Sequence, residues 1–329
     1  MKLNKLVLSS LCIALPALAI SSNAMASKVT LKLAHNLEQS HVVHQALAAM
    51  AKEVQEKSNG ELKIRIYPSG QMGGPRETIE LIQNDALDMT KASASEMESF
   101  VKEFSVFSSP YLFDNDEHFK KVLYGSVGKS ITDKTKASGF NVLASYVAGT
   151  RSFYAKKPIH SPVDMKGMKI RVVSTPTTNK LIELLGASPA PIPFGEVYTA
   201  LQQGVIDGAE NNIPSYNQTR HVEVAQYYIE DQHTSVPDYL IISNKTWEKL
   251  DDNQRKILEE AARNSEAYQQ KLWDEEVAKS RAEAEKVGAK FIQVDKQPFR
   301  DALTPLYEDF AKNPDLEKVI KDIKAAAAQ

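Results

Sequence analysis

The order of short apolar segments and amphipathic segments constrains the fold of this chain more than any other sequence feature. In residues 29–90, three strand patterns alternate with two helix patterns, at 29–34, 40–58, 61–67, 76–84 and 86–90. The same alternation returns in residues 168–209, at 168–173, 175–185, 188–191, 196–203 and 205–209. Strands separated by helices predict parallel α/β sheets. Two such stretches in a chain of 329 residues predict two lobes.

A long helix pattern begins at an N-cap provided by Asp251 or Asp252 and continues to about Val287. A helix of ~35 residues spans ~50 Å, which exceeds the width of one small domain. The pattern therefore predicts a helix that bridges the two lobes, and repeated crossings of the chain between the lobes predict a hinge. The expected boundaries are 27–148 plus 237–276 for lobe 1 and 149–236 plus 277–329 for lobe 2.

The N-terminal residues have the composition of a secretory signal peptide. Two lysines precede an apolar run at 6–20, and the small-x-small sequence at 24–26 follows it. We expect cleavage after Ala26 and export of the remaining chain. The only cysteine, Cys12, lies in the apolar run, so the exported chain contains no disulfide. Its ~300 residues are enough to bury a core without one.

Composition and motifs exclude several classes of function. The predicted signal peptide holds two of the 40 basic residues and none of the 42 acidic ones, so the exported chain carries 38 basic and 42 acidic residues, a net charge of −4. This balance provides no basic field for nucleic acid or an anionic membrane. No G-x-S-x-G, H-E-x-x-H, G-x-G-x-x-G or Walker sequence occurs, so we predict neither an enzyme nor a cofactor.

Three histidines near the start of the exported chain suggest a metal site at first. His41 and His44 are three positions apart at a helix start, and His35 precedes them. No cysteine and no further ligand at a metal-like spacing accompanies them, so we predict no metal. Asn36, at the end of the first strand pattern, is the better candidate for contact with a small ligand.

Arg171 lies inside an apolar strand pattern, and a desolvated guanidinium requires an anionic partner. No acidic residue lies within three positions of it, so the partner is either distant in sequence or not part of the protein. The alternatives are a solvent-exposed strand face, an ion pair between the lobes, and a clamp for a ligand carboxylate. A guanidinium suits the last role because its planar fork pairs with both carboxylate oxygens.

Other polar side chains follow predicted strands, where α/β sheets bind their ligands. Arg151 follows the strand pattern at 141–148, and Asn211 and Asn212 follow a Gly-Val-Ile-Asp-Gly turn. A surface arginine and ordinary turn chemistry are the alternative explanations. Together with Arg171, these residues favour anion binding between two lobes over catalysis.

Six segments of the chain resemble the extracytoplasmic solute-binding proteins of TRAP transporters, the DctP family. They are LAHNLEQSH at 33–41, YPSGQMGGPRE at 67–77, SPYLFDNDEH at 109–118, DMKGMKIRV at 164–172, FGEVYTALQQGVIDGAENN at 194–212 and SNKTWEKL at 243–250. The resemblance covers nearly all of the exported chain. It implies an α/β, two-lobed periplasmic binding protein fold of type II-like architecture, with a central ligand cleft and the long bridging helix.

The resemblance also implies a function in transport. The lobes of such proteins close on a small organic acid in the periplasm, and the loaded protein docks on the small and large membrane subunits of a permease. We therefore expect a binding protein, present as a monomer, and not an enzyme. A subunit that presents the ligand to a sensor is an alternative, and a periplasmic enzyme is a less favoured one.

The resemblance further implies roles for individual residues. Arg171 would form a salt bridge with the ligand carboxylate, and Arg151 would assist it. Asn211 matches the amide that follows the D-G-x-E turn, and Phe194 matches an aromatic position that lies against the ligand. The contacts implied from the first lobe are Asn36 and Ser93.

The implied ligand is a sugar acid such as a hexuronate. The doubled amide at 211–212, the SFY segment at 152–154 and the HTSVPDYL segment at 233–240 look like those of members that bind uronates. Sialic-acid binders of the family carry an acidic residue where this chain has Ser93, which disfavours that ligand. A four-carbon dicarboxylate or another organic acid stays open as an alternative.

Overall fold

A computed structural model describes residues 28–327 of the chain, and the predicted signal peptide with its cleavage site lies outside the described residues. The strands are β1 (Val29–Ala34), β2 (Leu62–Tyr67), β3 (Met89–Ser93), β4 (Phe140–Tyr146), β5 (Thr150–Ala155), β6 (Lys169–Val172), β7 (Ser188–Pro191), β8 (Gly208–Asn211), β9 (Tyr227–Ser235), β10 (Asp238–Ser243) and β11 (Lys290–Ile292). The helices are α1 (Val42–Lys57), α2 (Pro75–Gln83), α3 (Ala94–Met97), α4 (Asp116–Tyr124), α5 (Ser126–Thr132), α6 (Pro176–Leu184), α7 (Val197–Gln203), α8 (Ile213–Gln218), α9 (Asn244–Lys249), α10 (Asp252–Lys286), α11 (Gln297–Ala311) and α12 (Pro314–Ala327).

The strands form two sheets with helices packed on them. The first sheet has the order β2-β1-β3-β10-β4, and the second has the order β11-β9-β5-β8-β6-β7. The prediction of two α/β lobes is therefore confirmed, but the sheets are mixed and not parallel throughout. In the first sheet β10 runs antiparallel to both neighbours, and in the second β5 does so.

The antiparallel strands have a simple cause, because they belong to the chain segments that cross between the sheets. Residues 147–149 connect β4 of the first sheet to β5 of the second, and residues 236–237 connect β9 of the second sheet to β10 of the first. β4 pairs with β10, and β5 pairs with β9. Two adjacent strands thus pass from one sheet to the other in opposite directions, which gives a two-stranded hinge.

Helix α10 is the third connection between the lobes. It begins with a capping box between Asp251 and Gln254 and continues for 35 residues, as the sequence predicted. Its first half packs on α1 and β4 of the first lobe, and its second half packs on α8 of the second. At its middle, Gln269 Nε2 donates to the Val147 carbonyl oxygen over 2.8 Å, so α10 holds one of the hinge crossings.

The lobe boundaries stay a prediction, and we propose one change to them. The predicted second lobe includes residues 277–329, yet α12 packs against α4, α5 and the 3-10 helix Lys102–Ser108, which follow the first three strands of the first sheet. Helix α11 packs against α6 of the second lobe. We therefore propose that α12 belongs to lobe 1, so that the two C-terminal helices pack against different lobes, α11 against the second and α12 against the first.

No helix within residues 28–327 combines the length and the apolar composition needed to cross a lipid bilayer.

Candidate functional site

A cleft between the two sheets brings together all six residues that were predicted to contact a ligand. It contains about 500 Å³ of space that protein atoms do not fill, part of it open to solvent. The predicted residues that line it are Asn36, Ser93, Arg151, Arg171, Phe194 and Asn211. Their roles stay predictions, but the fold places them on one surface.

Arg171 is buried in the floor of the cleft without an anionic partner. Its residue is 4% exposed, and its Nε donates to the Ile192 carbonyl oxygen over 2.8 Å. Among residues 28–327, no carboxylate oxygen lies within 4.0 Å of its guanidinium nitrogens, and its two terminal nitrogens donate no hydrogen bond. Its guanidinium carbon lies 5.6 Å from the centre of the Phe194 ring. Burial lowers the pKa of Arg171, yet an arginine stays charged at neutral pH.

Arg151, in contrast, already has a carboxylate partner. Its Nε and one terminal nitrogen donate to the two carboxylate oxygens of Glu210 over 2.5 and 2.8 Å, which is a bidentate ion pair. The same terminal nitrogen donates to the Glu210 carbonyl oxygen, and the other donates to Asn211 Oδ1. One N–H of Arg151 is left for a ligand. The predicted assisting role is therefore restricted to a single hydrogen bond.

Glu210 also belongs to a row of buried charged side chains that extends from Arg151 through His233 to Asp231. His233 Nε2 lies 3.7 Å from Glu210, and His233 Nδ1 lies 2.7 Å from Asp231. Burial alone would raise the pKa of Glu210, but Arg151 and His233 lower it to about 2. Burial would lower the pKa of His233, but Asp231 and then Glu210 raise it to about 9. The four side chains carry two positive and two negative charges, which compensate one another.

Asn211 is oriented by this network. Its Oδ1 accepts hydrogen bonds from Arg151 and from the backbone N–H of Asn212, over 3.1 and 2.9 Å. The carbonyl side of the amide is thereby committed to the protein. Its Nδ2 hydrogens are the part left for a ligand, so Asn211 is a donor to whatever fills the cleft.

Ser93 serves mainly to orient a glutamate that the sequence analysis did not select. The Ser93 backbone N–H and hydroxyl both donate to Glu96 Oε2, over 2.7 and 2.9 Å, in a capping box at the start of α3. Glu96 lines the cleft, and its Oε1 accepts no hydrogen bond from residues 28–327. The S-x-x-E spacing of a capping box was the available signal for this residue.

A second ion pair in the wall of the cleft belongs to the first sheet. Lys91 on β3 lies 2.9 Å from Asp238 on β10, and both side chains are at most 10% exposed. Of the three cations that line the cleft, Lys91 and Arg151 are thus paired with carboxylates within the described part of the protein. Arg171 is the third, and no carboxylate within residues 28–327 forms an ion pair with it.

One hydrogen-bonded contact joins the lobes beside the cleft. Glu98 follows α3 of the first lobe, and its Oε1 accepts from the hydroxyl and backbone N–H of Thr177 at the start of α6, over 2.7 and 3.3 Å. Its Oε2 is buried without a partner in the described residues. Burial raises the pKa of Glu98 despite these two donors. The contact exists only while the two lobes lie close together.

The histidines at the start of the chain do not form a metal centre. His35 Nε2 and His44 Nδ1 lie 3.0 Å apart and share a hydrogen bond, whereas His41 Nδ1 accepts from the backbone N–H of Val43. Across residues 28–327, no group of three or more histidine, cysteine, aspartate or glutamate side chains is arranged to hold a metal ion.

The buried titratable groups predict a stability optimum near pH 6.5. Burial is the main reason that the pKa values of His35, His41 and His221 fall to about 3, while that of His233 rises to about 9 and burial raises that of Glu266 to about 7. From pH 9 down to ~6.5 the native state binds more protons than the unfolded chain, through His233 and then Glu266, so stability rises as the pH falls. Below ~6.5 the unfolded chain protonates all its histidines, so stability falls.

Thermal unfolding followed by circular dichroism from pH 5 to pH 9 will test this expectation. The midpoint temperature should be highest near pH 6.5 and should decline on both sides. A midpoint that rises steadily towards pH 9 would contradict the assignment of His233 as a buried cation.

Comparison with known proteins places the chain in a family. The model of the DctP family, described as bacterial extracellular solute-binding protein, family 7, matches residues 33–313. The uncharacterized protein YiiZ of Salmonella typhimurium is 41% identical over 299 residues, which are 90% of this chain and 91% of that protein.

Solved structures show the same fold. A TRAP periplasmic solute-binding protein from Anaerococcus prevotii, with bound α/β-D-glucuronate, is 37% identical, with a TM-score of 0.89 and coverage of 91% of this chain and 98% of that chain. Another from Xanthobacter autotrophicus, with bound β-D-galacturonate, is 36% identical, with a TM-score of 0.87 and coverage of 90% and 99%.

The two-lobed α/β fold agrees with these relatives. The predictions of the periplasmic binding protein fold and of the family are confirmed. The chain is a member of the DctP family of extracellular solute-binding proteins, the proteins that capture solutes for TRAP transporters.

Proposed function

We propose that this protein captures a hexuronate-like sugar acid in the periplasm and delivers it to a TRAP permease. The observation that carries the proposal is Arg171, a buried guanidinium whose two terminal nitrogens meet no acceptor within residues 28–327. A desolvated and unpaired charge is costly, so a fold retains it only where a partner arrives from outside. A ligand carboxylate fits because its two oxygens match the guanidinium fork.

Two polar groups that line the cleft with Arg171 have only donors left for a ligand. Asn211 offers its Nδ2 hydrogens, and Arg151 offers one N–H, because their remaining atoms are engaged within the protein. A carboxylate only accepts hydrogen bonds, whereas a hydroxyl requires both a donor and an acceptor for full pairing. This side of the cleft therefore suits a carboxylate, and we assign the carboxylate of the ligand to it.

The first lobe contributes acceptors to the cleft, which favours a hydroxylated acid over a dicarboxylate. Glu96 presents a carboxylate oxygen, and Asn36 presents its Oδ1. Hydroxyl groups donate to such oxygens, but a second carboxylate would meet the like charge of Glu96. Lys91 does not offset this charge, because Asp238 neutralises it.

The solved relatives support the same ligand class. The two that are described above carry glucuronate and galacturonate, and each covers at least 90% of this chain. The uronates combine one carboxylate with several hydroxyls, which matches the donors and acceptors of the cleft. By family membership, the partner is the pair of membrane subunits of a TRAP permease.

The other parts of the proposal follow from the N-terminal sequence and from the family membership. We propose cleavage after Ala26, residence in the periplasm and a monomeric binding protein that returns its ligand unchanged. The six contacts proposed for the ligand are Arg171, Arg151, Asn211, Phe194, Asn36 and Ser93, the last through its hold on Glu96.

A calorimetric comparison of acids will test the ligand class. The exported chain, unfolded and refolded to remove any co-purified ligand, should bind D-glucuronate or D-galacturonate with a Kd of about micromolar or tighter, which corresponds to ~8 kcal/mol. D-glucose is the matched control without the carboxylate, and succinate is the matched acid without hydroxyls. Both should bind far more weakly.

Two outcomes would contradict the proposal. Tight binding of succinate without binding of either uronate would show that the ligand is a dicarboxylate and not a sugar acid. A change in the mass of the uronate after incubation with the protein would favour an enzyme.

A further inference from the structure

His41 is a neutral hydrogen-bond donor buried in the wall of the cleft. The residue is 4% exposed and precedes α1, where its Nδ1 accepts a hydrogen bond from the Val43 backbone N–H over 3.2 Å. A backbone N–H only donates, so Nδ1 holds a lone pair and the ring hydrogen lies on Nε2. Burial, with smaller contributions from Lys91 and His44, lowers the pKa of His41 to about 3, so the ring is neutral.

The Nε2 hydrogen of His41 has no partner in residues 28–327, although the atom is fully buried. Asn36 Oδ1 is likewise buried without a partner. Both residues line the cleft and also a second cavity, which contains about 750 Å³ of space that protein atoms do not fill, part of it open to solvent, and which continues past Phe194. An unpaired buried polar group destabilises the protein, so a donor and an acceptor left unpaired on one wall indicate a ligand that supplies both.

We propose that His41 is a specificity-determining residue and that, with Asn36, it recognises hydroxyl groups of the sugar acid. His41 Nε2–H donates to one hydroxyl oxygen, and Asn36 Oδ1 accepts from the same hydroxyl or its neighbour. This inference rests on the proposed function, since it assigns the hydroxyls of a ligand whose carboxylate pairs with Arg171. It extends that function, because nothing in the carboxylate clamp selects among acids.

The pair accounts for selection against acids without hydroxyls. An acid that carries no hydroxyl leaves both His41 Nε2–H and Asn36 Oδ1 desolvated and unpaired when the lobes close. Sites built to hydrogen-bond a hydroxyl reject analogues that lack it for this reason. The metal alternative does not apply to His41, because its Nδ1 is committed to the backbone.

The test uses His41→Asn in the full exported chain. Asparagine retains an N-cap acceptor for the Val43 N–H, since Asn is among the best N-cap residues, but it is too short to place a donor at the position of Nε2. We expect D-glucuronate or D-galacturonate, whichever the wild type binds tightly, to bind about tenfold more weakly to the variant. Thermal stability without ligand should stay near that of the wild type.

A panel of monodeoxy uronates then separates hydroxyl recognition from a general structural effect. One deoxy analogue should lose about the same factor in the wild type and should show no further loss with His41→Asn. His41→Phe, which also removes the cap, should repeat the loss of affinity and lower the stability.

Each outcome decides a separate claim. Uronate binding that His41→Asn leaves unchanged, or weakens equally for every deoxy analogue, overturns the role of His41 alone. Absence of uronate binding by the wild type overturns the proposed function, and this inference with it.

Discussion

Replacing Arg171 with alanine is expected to abolish or severely weaken uronate binding while leaving the folded protein as stable as before, or more stable. Truncation of one partner of a buried charge pair costs ~2–5 kcal/mol, which is roughly 30-fold to several thousand-fold in Kd. A micromolar ligand would then bind with a Kd between roughly 30 µM and several millimolar. Because Arg171 has no carboxylate partner among the described residues, its removal leaves no orphaned anion and relieves a desolvated cation.

Arg171→Lys is the matched control. Lysine retains the charge but lacks the planar fork and the Nε hydrogen bond to the Ile192 carbonyl, so an intermediate loss of affinity is expected. Isothermal titration calorimetry measures the affinity, and denaturant titration measures the free energy of unfolding. Near wild-type affinity of the alanine variant would sink the carboxylate clamp.

For Arg151, in contrast to Arg171, substitution is expected to reduce the stability of the protein strongly. Replacing it with methionine should lower the free energy of unfolding by ~3–5 kcal/mol, because Glu210 would remain buried without its bidentate partner. The loss of Arg151 should also change the environment of His233, because His233 lies beside the same Glu210 carboxylate. Ligand affinity should also fall, since Arg151 holds Asn211 Oδ1 in place.

The double variant Arg151→Met with Glu210→Gln provides the control. Removal of both charges should recover part of the lost stability, and the difference from the sum of the single effects measures the coupling. Denaturant unfolding at pH 6.5 is the suitable measurement. If Arg151→Met lost affinity with unchanged stability, then Arg151 would be a ligand contact first and a structural residue second.

This contrast between two arginines lay beyond the sequence. Each arginine had no clear partner in its neighbourhood, and the partner of Arg151 lies 59 positions away. It is reached because β5 pairs with β8 so that Phe153 faces Glu210, and this register could not be deduced from local patterns.

The elements with local signals were predicted well, and those without were missed. Helix α10 was predicted to within two residues, because its N-cap and length are written in the sequence itself. β9 was missed because Glu230, Asp231 and His233 interrupt its apolar pattern, although all three are buried. A strand whose buried charges are paired with charges on other strands contains as many charged residues as a surface loop. Composition alone therefore does not identify it as a buried strand.

Some of the residues that line the cleft were predicted from the sequence and others were not. Arg171, Arg151 and Asn211 were selected from strand patterns and a turn, and the resemblance to a family then implied their roles. The three residues do meet in the cleft. Glu96 and His41 were not selected, although the capping box and the helix start that position them are local features. A local sequence pattern does not show that their polar atoms lack partners, because this depends on the packing of the two lobes in the folded protein.

The passage of two strands between the sheets has a consequence for the order in which the protein folds. The inner strand β10 separates β3 from β4 in the first sheet, yet it follows the whole of β5 to β9 in the chain. A chain that emerges from its N-terminus cannot complete the first sheet until residue 243 is available, by which time most of the second sheet is already present. Such long-range pairing slows folding, so residues 29–146 must spend this interval with an incomplete sheet.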